Sequence, residues 1–256
     1  MKKCKPSHIY LGIVLLIMYL PVLVVIGFSF NNSKLSTVWS GFSLMWYEKL
    51  FQNTVLLDTL KNSLILGIAS CGISAVIGTA GAVGMARSKF LLKGAVESVS
   101  LIPIMIPEII LGMAFLSFFS MLGMRFGMMT LIIAHCAFCV PYIFMMVKGA
   151  LAGIDPAIPD AARDLGASDL RAFWDITLPL ITPAILSGSF LAFAMSLDDV
   201  VISFFVTGPE TNTLPVKIYS QLKMGVTPEI NALCTVMLAV TFFVVILSGL
   251  FRKKAN

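Results

Sequence analysis

The sequence predicts an all-α polytopic membrane protein with six transmembrane helices and a short cytoplasmic helix between the fourth and the fifth. Three observations support this prediction. Hydrophobic residues make up 58% of the 256 residues, charged residues only 12%, and the mean hydropathy is +0.96. Six apolar runs of about 20 residues or more can each cross a ~30 Å hydrocarbon core as a helix. One polar segment separates the fourth run from the fifth.

The predicted spans are residues 9–30, 63–85, 98–121, 128–147, 180–206 and 232–251, within a single transmembrane domain covering residues 1–256. The first run follows KKCK and could instead be a cleaved signal peptide. Its length, its internal Pro21 and the following FSFNNSK, which lacks a small-residue cleavage site, favour a membrane helix.

The basic residues predict the orientation, because lysine and arginine are enriched in cytoplasmic loops. With the N-terminus inside, twelve of the 18 lie on the inner side: Lys2, Lys3, Lys5, Arg87, Lys89, Lys93, Lys148, Arg163, Arg171, Arg252, Lys253 and Lys254. The other six lie outside: Lys34, Lys49, Lys61, Arg125, Lys217 and Lys223. The sequence therefore predicts a multi-pass membrane protein with both termini in the cytoplasm. The net charge of +5 is explained by this topology, and no nucleic-acid partner is expected.

The sequence lacks the motifs of the common catalytic sites. It has no glycine-rich phosphate loop, no zinc-protease histidine pair and no nucleophile elbow. Of its two histidines, His135 is predicted to connect membrane helices through hydrogen bonds. Cys136 and Cys139 form a CxxC pair, which we interpret as small residues of a membrane helix rather than a metal or redox site. We expect no enzyme, no catalytic residue, no metal site and no cofactor, so any active transport would draw on a partner subunit or an ion gradient.

The inner loop at residues 148–179 is the longest, and its turn chemistry predicts two short helices. Asp155 with Pro156, or Pro159 slightly later, would start the first helix. Gly166 fits the left-handed position after the end of that helix.

Ser168 would cap the second short helix, and Leu178–Pro179 would turn the chain back into the membrane. Two adjacent alanines, Ala161 and Ala162, give the first helix a shallow face that another protein could approach closely. The alternative is an amphipathic helix lying at the lipid headgroups, which would usually carry more basic residues and bulkier apolar anchors.

The same loop resembles the EAA signature of binding-protein-dependent ABC importer permeases. The matching residues are Asp160, Ala161, Ala162, Gly166, Ile176, Leu178 and Pro179, with an aspartate where the family usually has glutamate. The resemblance implies that the segment is a coupling helix seated in a groove of a cytoplasmic ATPase. It also implies two ATPase copies, a second homologous permease subunit and an extracytoplasmic binding protein as partners, in addition to membrane lipid.

Other segments are similar to the permeases of spermidine/putrescine importers. They are WYEKLF at 46–51, IPEI at 106–109, DAARDLGAS at 160–168, SLDDVVISFFVTGPETNTLPVKIYS at 196–220 and GVTPEINALCT at 225–235. The resemblance implies a polyamine cargo, with a permease for another small cargo as the nearest alternative. It also implies that segments 46–60 and 207–230 lie near the surface where a polyamine-binding protein docks. From the residues alone, the aromatics of 46–60 predict anchoring at the outer membrane interface.

Three carboxylates fall inside the predicted spans: Glu108, Asp198 and Asp199. An ionised side chain at mid-bilayer costs about 2.5–3.5 kcal/mol, and no lysine or arginine is predicted at that depth. Glu108 would lie about 15 Å from the inner side and the aspartates about 27 Å along the fifth span, so the acids could line the path of a cation. Alternatively, Glu108 could bind a neighbouring polar group and the aspartates could lie at the outer surface. Both aspartates can face one cavity only if the helix unwinds there.

Two functions from other classes remain open at this point. An ion-coupled secondary transporter would use the same carboxylates as proton or sodium sites. A membrane scaffold without cargo would tolerate their replacement by neutral residues.

Overall fold

The computed structural model of the chain describes residues 6–33, 38–88, 91–223 and 228–239, together with residue 242. Every regular element in these ranges is helical, which confirms the predicted all-α class. By internal contacts the chain divides into two units, one of residues 58–217 and one of residues 1–57 with 218–256. The last part of the predicted sixth span and the basic residues at both chain ends lie outside the described residues, as do Lys34 and Lys89.

Twelve helices are assigned in the described part of the chain. They are α1 Pro6–Ser29, α2 Met45–Gln52, α3 Thr54–Arg87, α4 Lys93–Met105, α5 Glu108–Met121, α6 Met128–Ala152, α7 Ala157–Asp164, α8 Asp169–Ala172, α9 Leu178–Asp198, α10 Val201–Val206, α11 Leu214–Leu222 and α12 Pro228–Ala239. Four helical stretches, Tyr10–Ser29, Thr54–Arg87, Met128–Ala152 and Asp169–Asp198, are long and apolar enough to cross a membrane, and α4 with α5 makes a fifth if the bent pair is one span. The count of six spans therefore stays a prediction.

The predicted third span is broken into α4 and α5, which meet at an angle of 102°. The break is at Pro107, which has no N–H to donate and drives the preceding Ile106 out of the helical region, to φ −76° and ψ 131°. Pro103 lies inside α4 without ending it. Both prolines predict an interruption of the helix from the sequence alone, and the structure shows it at Pro107, which places Glu108 at the start of α5.

The predicted fifth span is also broken, so the expectation of one helix over 180–206 is wrong. Helix α9 ends at Asp198, Asp199 is extended at φ −67° and ψ 120°, and α10 begins at Val201. The cause is local capping: the Asp199 carboxylate accepts hydrogen bonds from the amides of Ile202 at 3.2 Å and Ser203 at 2.7 Å. The helix is therefore unwound at Asp199, which is the condition under which Asp198 and Asp199 could face the same cavity.

The second short helix predicted in segment 148–179 is continuous with α9, so the predicted turn at Leu178–Pro179 is wrong. Helix α8 continues through a π-helical stretch, Phe173–Thr177, directly into α9. In that stretch the Leu178 amide donates to the Phe173 carbonyl, the wider spacing of a π-helix. Pro179 is the second residue of α9 and directly follows this π-helical stretch.

Helix α6 is the centre of the larger unit. Its buried Leu131, Ala134, Cys139, Ile143 and Val147 belong to one apolar core. The core also receives residues from four further helices: Leu66, Ala82, Phe119, Ile181, Ala192, Ile202 and Val206. The halves of both broken spans are thus packed against a single continuous helix.

Close packing of α3 on α6 depends on Gly78. A Cβ at this position would lie 3.0 Å from the Val140 carbonyl oxygen and 3.1 Å from the Phe144 amide nitrogen. We expect Gly78→Ala to destabilise the protein by about 1–3 kcal/mol, because backbone atoms cannot move aside as a side chain can. Gly72→Ala on the same helix is the matched control, since a Cβ there has no heavy atom within 4 Å. Thermal unfolding of the detergent-purified protein measures both, and equal unfolding temperatures would contradict the predicted contact.

Candidate functional site

The start of α7 is fixed by the chemistry predicted for it. The side chain of Asp155 accepts a hydrogen bond from the Ala157 amide at 2.9 Å, and Pro156 directly precedes the helix. Pro159 lies within the helix rather than before it. Of the two starts that the sequence allowed, the earlier one at Asp155–Pro156 is therefore confirmed.

The end of α7 is a Schellman motif built on Gly166. This glycine has φ +87°, which confirms the predicted left-handed position. Its amide donates to the Arg163 carbonyl at 2.9 Å, and the Ala167 amide donates to the Ala162 carbonyl at 3.0 Å. The Ser168 hydroxyl then accepts from the Arg171 amide at 3.3 Å, as predicted for the next helix cap. The turn after α7 thus has a single defined shape.

Arg163 makes two ion pairs, one with Asp160 inside α7 and one with Asp169 that connects α7 to α8. Its Nη1 lies 2.5 Å from Asp160 Oδ1 and its Nε lies 2.7 Å from Asp169 Oδ1. The carboxylates of Asp169 and then Asp160 raise the pKa of Arg163 above its ordinary value. All three side chains are exposed, so solvent weakens each pair, yet together they orient the polar edge of α7.

The surface around α7 carries exposed apolar side chains that sequence reasoning missed. Leu165 is 90% exposed, Leu170 68% and Trp174 58%. Ala161 is exposed and Ala162 half-buried. Large apolar residues at the tip of a polar loop favour contact with another protein. The remaining signature residues lie at the base of the loop, where Ile176 and Leu178 are half-buried and Pro179 is exposed.

A recess of about 250 Å³ lies beside α7. It is lined by Ala86, Arg87, Leu151, Ile154, Pro156, Pro159, Asp160, Arg163 and Thr177. The Arg87 guanidinium stands 5.6 Å from the ring centroid of Phe173. The signature segment is therefore connected to the C-terminal ends of α3 and α6 and to the π-helical stretch before α9.

A second cavity, of about 50 Å³, lies between the two helix breaks. Its walls are Pro103, Ile104, Ile106, Glu108, Leu111, Phe138, Tyr142, Met195, Asp199 and Ile202. Two carboxylates, Glu108 and Asp199, thus face one cavity together with two aromatic rings. Glu108 is the first residue of α5, where the positive end of the helix dipole stabilises a carboxylate.

Asp199 is buried and already has partners. Besides its two backbone donors, its Oδ2 lies 3.4 Å from Nε2 of His135. The predicted role of His135 as a connector is confirmed, since its Nδ1 lies 2.8 Å from Ser196 Oγ and its Nε2 lies 3.0 Å from Ser203 Oγ. Surface exposure, the alternative reading for the aspartates, is wrong for Asp199.

Asp198 differs from its neighbour. It is the last residue of α9, it is exposed, and it is absent from the walls of the 50 Å³ cavity. Of the three acids predicted to line a cation path, the structure therefore brings Glu108 and Asp199 together and leaves Asp198 outside.

Two aromatic residues of segment 46–60, Trp46 and Tyr47, pack within their own unit, whereas Phe51 is 66% exposed, so the predicted anchoring at the lipid interface is wrong for Trp46. Trp46 is 6% exposed and donates its indole N–H to the Asn31 carbonyl at 2.7 Å. The ammonium of Lys49 lies 4.7 Å from the Trp46 ring centroid. The Tyr47 hydroxyl lies 2.7 Å from Ser29 Oγ. These contacts give the residues around α2 a defined local structure.

Comparison with known proteins shows the family of the chain and several similar permeases. The model of the family "Binding-protein-dependent transport system inner membrane component" matches residues 74–253. The spermidine/putrescine transport system permease protein PotC of Haemophilus influenzae is 37% identical over 247 residues, which is 96% of each chain. The putrescine transport system permease protein PotI of Escherichia coli K12 is 37% identical over 246 residues, covering 93% of this chain and 88% of the relative.

Solved structures show the same fold. A chain of a bacterial ABC transporter that imports the acidic polysaccharide alginate has a TM-score of 0.73 at 14% identity, covering 96% of this chain and 94% of its own. The MetNI methionine ABC transporter, in an inward-facing conformation, gives a TM-score of 0.61 at 20% identity over 84% of this chain and 99% of its own. At these identities the likeness concerns the fold alone.

Proposed function

We infer the function from the family to which this chain belongs, the inner membrane components of binding-protein-dependent transport systems. The chain is a multi-pass inner membrane protein and the permease subunit of an ABC importer. It is not an enzyme, because ATP hydrolysis belongs to a separate partner.

We propose that the cargo is a polyamine, spermidine or putrescine. Relatives named for these cargoes are similar to the chain over nearly its whole length. The observation that carries the proposal is that Glu108 and Asp199 line one cavity between two broken helices. Broken membrane helices commonly build transport sites, and carboxylates with aromatic rings suit an alkylammonium ion.

The proposed assembly has two ATPase copies, a second homologous permease and an extracytoplasmic polyamine-binding protein. With both termini in the cytoplasm, segment 148–179 faces the ATPases. The exposed Leu165 and the shallow face at Ala161 and Ala162 would then enter a groove of one ATPase, with Ile176, Leu178 and Pro179 joining this contact to α9.

The proposed mechanism couples the ATPase contact at α7 to the cavity lined by Glu108 and Asp199. ATP binding closes the ATPases on each other, and their motion passes from α7 through its ion pair with α8 into α9. Because α9 ends at the break beside Asp199, its movement changes the cavity there. The outward-open state would receive the cation from the binding protein, and Glu108, Asp199 and the exposed Asp198 would stabilise it in passage. Such coupling requires that the contacts at both places differ between the two states.

Uptake by cells tests the cargo assignment. Cells that express the whole assembly should accumulate labelled spermidine and putrescine, whereas cells that lack this chain alone should not. Accumulation of a different small solute, with no polyamine uptake, would leave the importer class in place and overturn the cargo.

A further inference from the structure

His135 on α6 connects the two sides of the break in the fifth span. Its ring is fully buried. Nδ1 lies 2.8 Å from Ser196 Oγ, in the last turn of α9, and Nε2 lies 3.0 Å from Ser203 Oγ, in the first turn of α10. One side chain on the central helix therefore holds both ends that meet at Asp199.

The position of Asp199 favours a hydrogen on Nε2 of the His135 ring. Oδ2 of the carboxylate lies 3.4 Å from Nε2. A lone pair on Nε2 would face a negative charge, whereas an N–H there can donate toward the carboxylate and Ser203 Oγ. The ring then carries its proton on Nε2, and Nδ1 accepts from the Ser196 hydroxyl.

The contacts of Asp199 also set the position of the second carboxylate of the cavity, Glu108. Asp199 accepts from the amides of Ile202 and Ser203, so it holds the start of α10. Helix α10 packs tightly on α5 at Gly112, where a Cβ would lie 2.6 Å from Cδ2 of Phe205. Glu108 begins α5, and its place relative to Asp199 therefore depends on where α10 is held.

We propose that His135 is a positioning residue for a cationic cargo. The Nε2–H of His135 holds the Asp199 carboxylate at the helix break. Because Asp199 holds α10 and α10 packs on α5 at Gly112, the same contact sets the distance between the Asp199 and Glu108 carboxylates. The ring itself is not part of the cavity wall and acts through Asp199. This inference rests on the proposed cargo path.

Three substitutions of His135 test whether transport needs a hydrogen-bond donor at the Nε2 position or at the Nδ1 position. Glutamine can place an amide donor near the Nε2 position, asparagine can reach only the Nδ1 position, and leucine fills the space without a donor. In vesicles holding the complete assembly and ATP, His135→Gln should keep polyamine uptake within about threefold of native. His135→Asn and His135→Leu should lose about tenfold or more, because a bond to a charged group is lost. Cys139→Ala, at a buried site one turn along α6, is the control for general loss of packing and should keep native uptake.

The decisive comparison is between His135→Gln and His135→Asn, since both are polar and similar in shape even if the leucine variant fails to assemble. Equal uptake by these two variants, whether high or low, would overturn the positioning role. Uptake by the asparagine variant above that of the glutamine variant would overturn it as well. Failure of the native assembly to take up polyamine with ATP would instead contradict the proposed function.

Discussion

Glu108→Gln should lower ATP-dependent polyamine uptake by about ten- to a hundredfold while the assembly stays intact, a loss expected when a hydrogen-bonded charge is removed. Glutamine keeps the size of the side chain and loses the charge that the cation would meet. Glu108 is exposed in the isolated chain and begins α5, so its neutralisation leaves no buried group without a partner. The measurement is the initial uptake rate in vesicles, with copurification of the ATPase as the check on assembly.

Glu97→Gln is the matched control for the Glu108 variant. It removes the same charge from α4, where the carboxylate lies 2.6 Å from Lys148 Nζ and both side chains are partly exposed. Such a pair contributes about 0–1 kcal/mol, so uptake should stay near native. If Glu108→Gln transports as fast as Glu97→Gln, Glu108 has a structural role and the cation path does not include it.

Gly166→Val should weaken ATPase association and lower uptake together. The glycine has φ +87°, and a β-branched residue in that conformation costs about 1–2 kcal/mol. A Cβ at this position would have no heavy atom within 4 Å, so the cost comes from the backbone and not from a clash. We expect the Schellman turn to open and α7 to lose its orientation, which copurification of the ATPase and the uptake rate both measure.

Gly166→Asn distinguishes backbone conformation from the mere addition of a side chain. Asparagine enters the left-handed region at lower cost than valine, so this variant should retain most of the association and uptake. If the valine and asparagine variants show the same ATPase association and uptake, the left-handed conformation at position 166 is not required for coupling.

Features set by neighbouring residues could be predicted from the sequence. Asp155, Gly166 and Ser168 occupy the helix start, the left-handed position and the helix cap expected of them, because each acts within a few residues. The interruption at Pro107 is equally local, since proline constrains the residue before it. The coupling role of the segment stays a prediction.

The remaining parts of the site depend on contacts distant in sequence. The approach of His135 to Asp199 joins α6 to the break after α9, and no local pattern pairs them. The break at Asp199 follows from capping by its own carboxylate, a signal that an apolar run conceals. The π-helical continuation at Phe173–Thr177 was missed because Leu178–Pro179 predicts a stop, whereas the helix continues past Pro179 with a π-helical stretch before it.

The most direct test of ATP-driven polyamine import is labelled spermidine uptake into vesicles that hold the complete assembly, with either ATP or an ion gradient as the energy source. We predict that uptake requires ATP and persists when ionophores collapse the gradient. Uptake that needs no nucleotide and disappears with the gradient would contradict the account and indicate an ion-coupled secondary transporter.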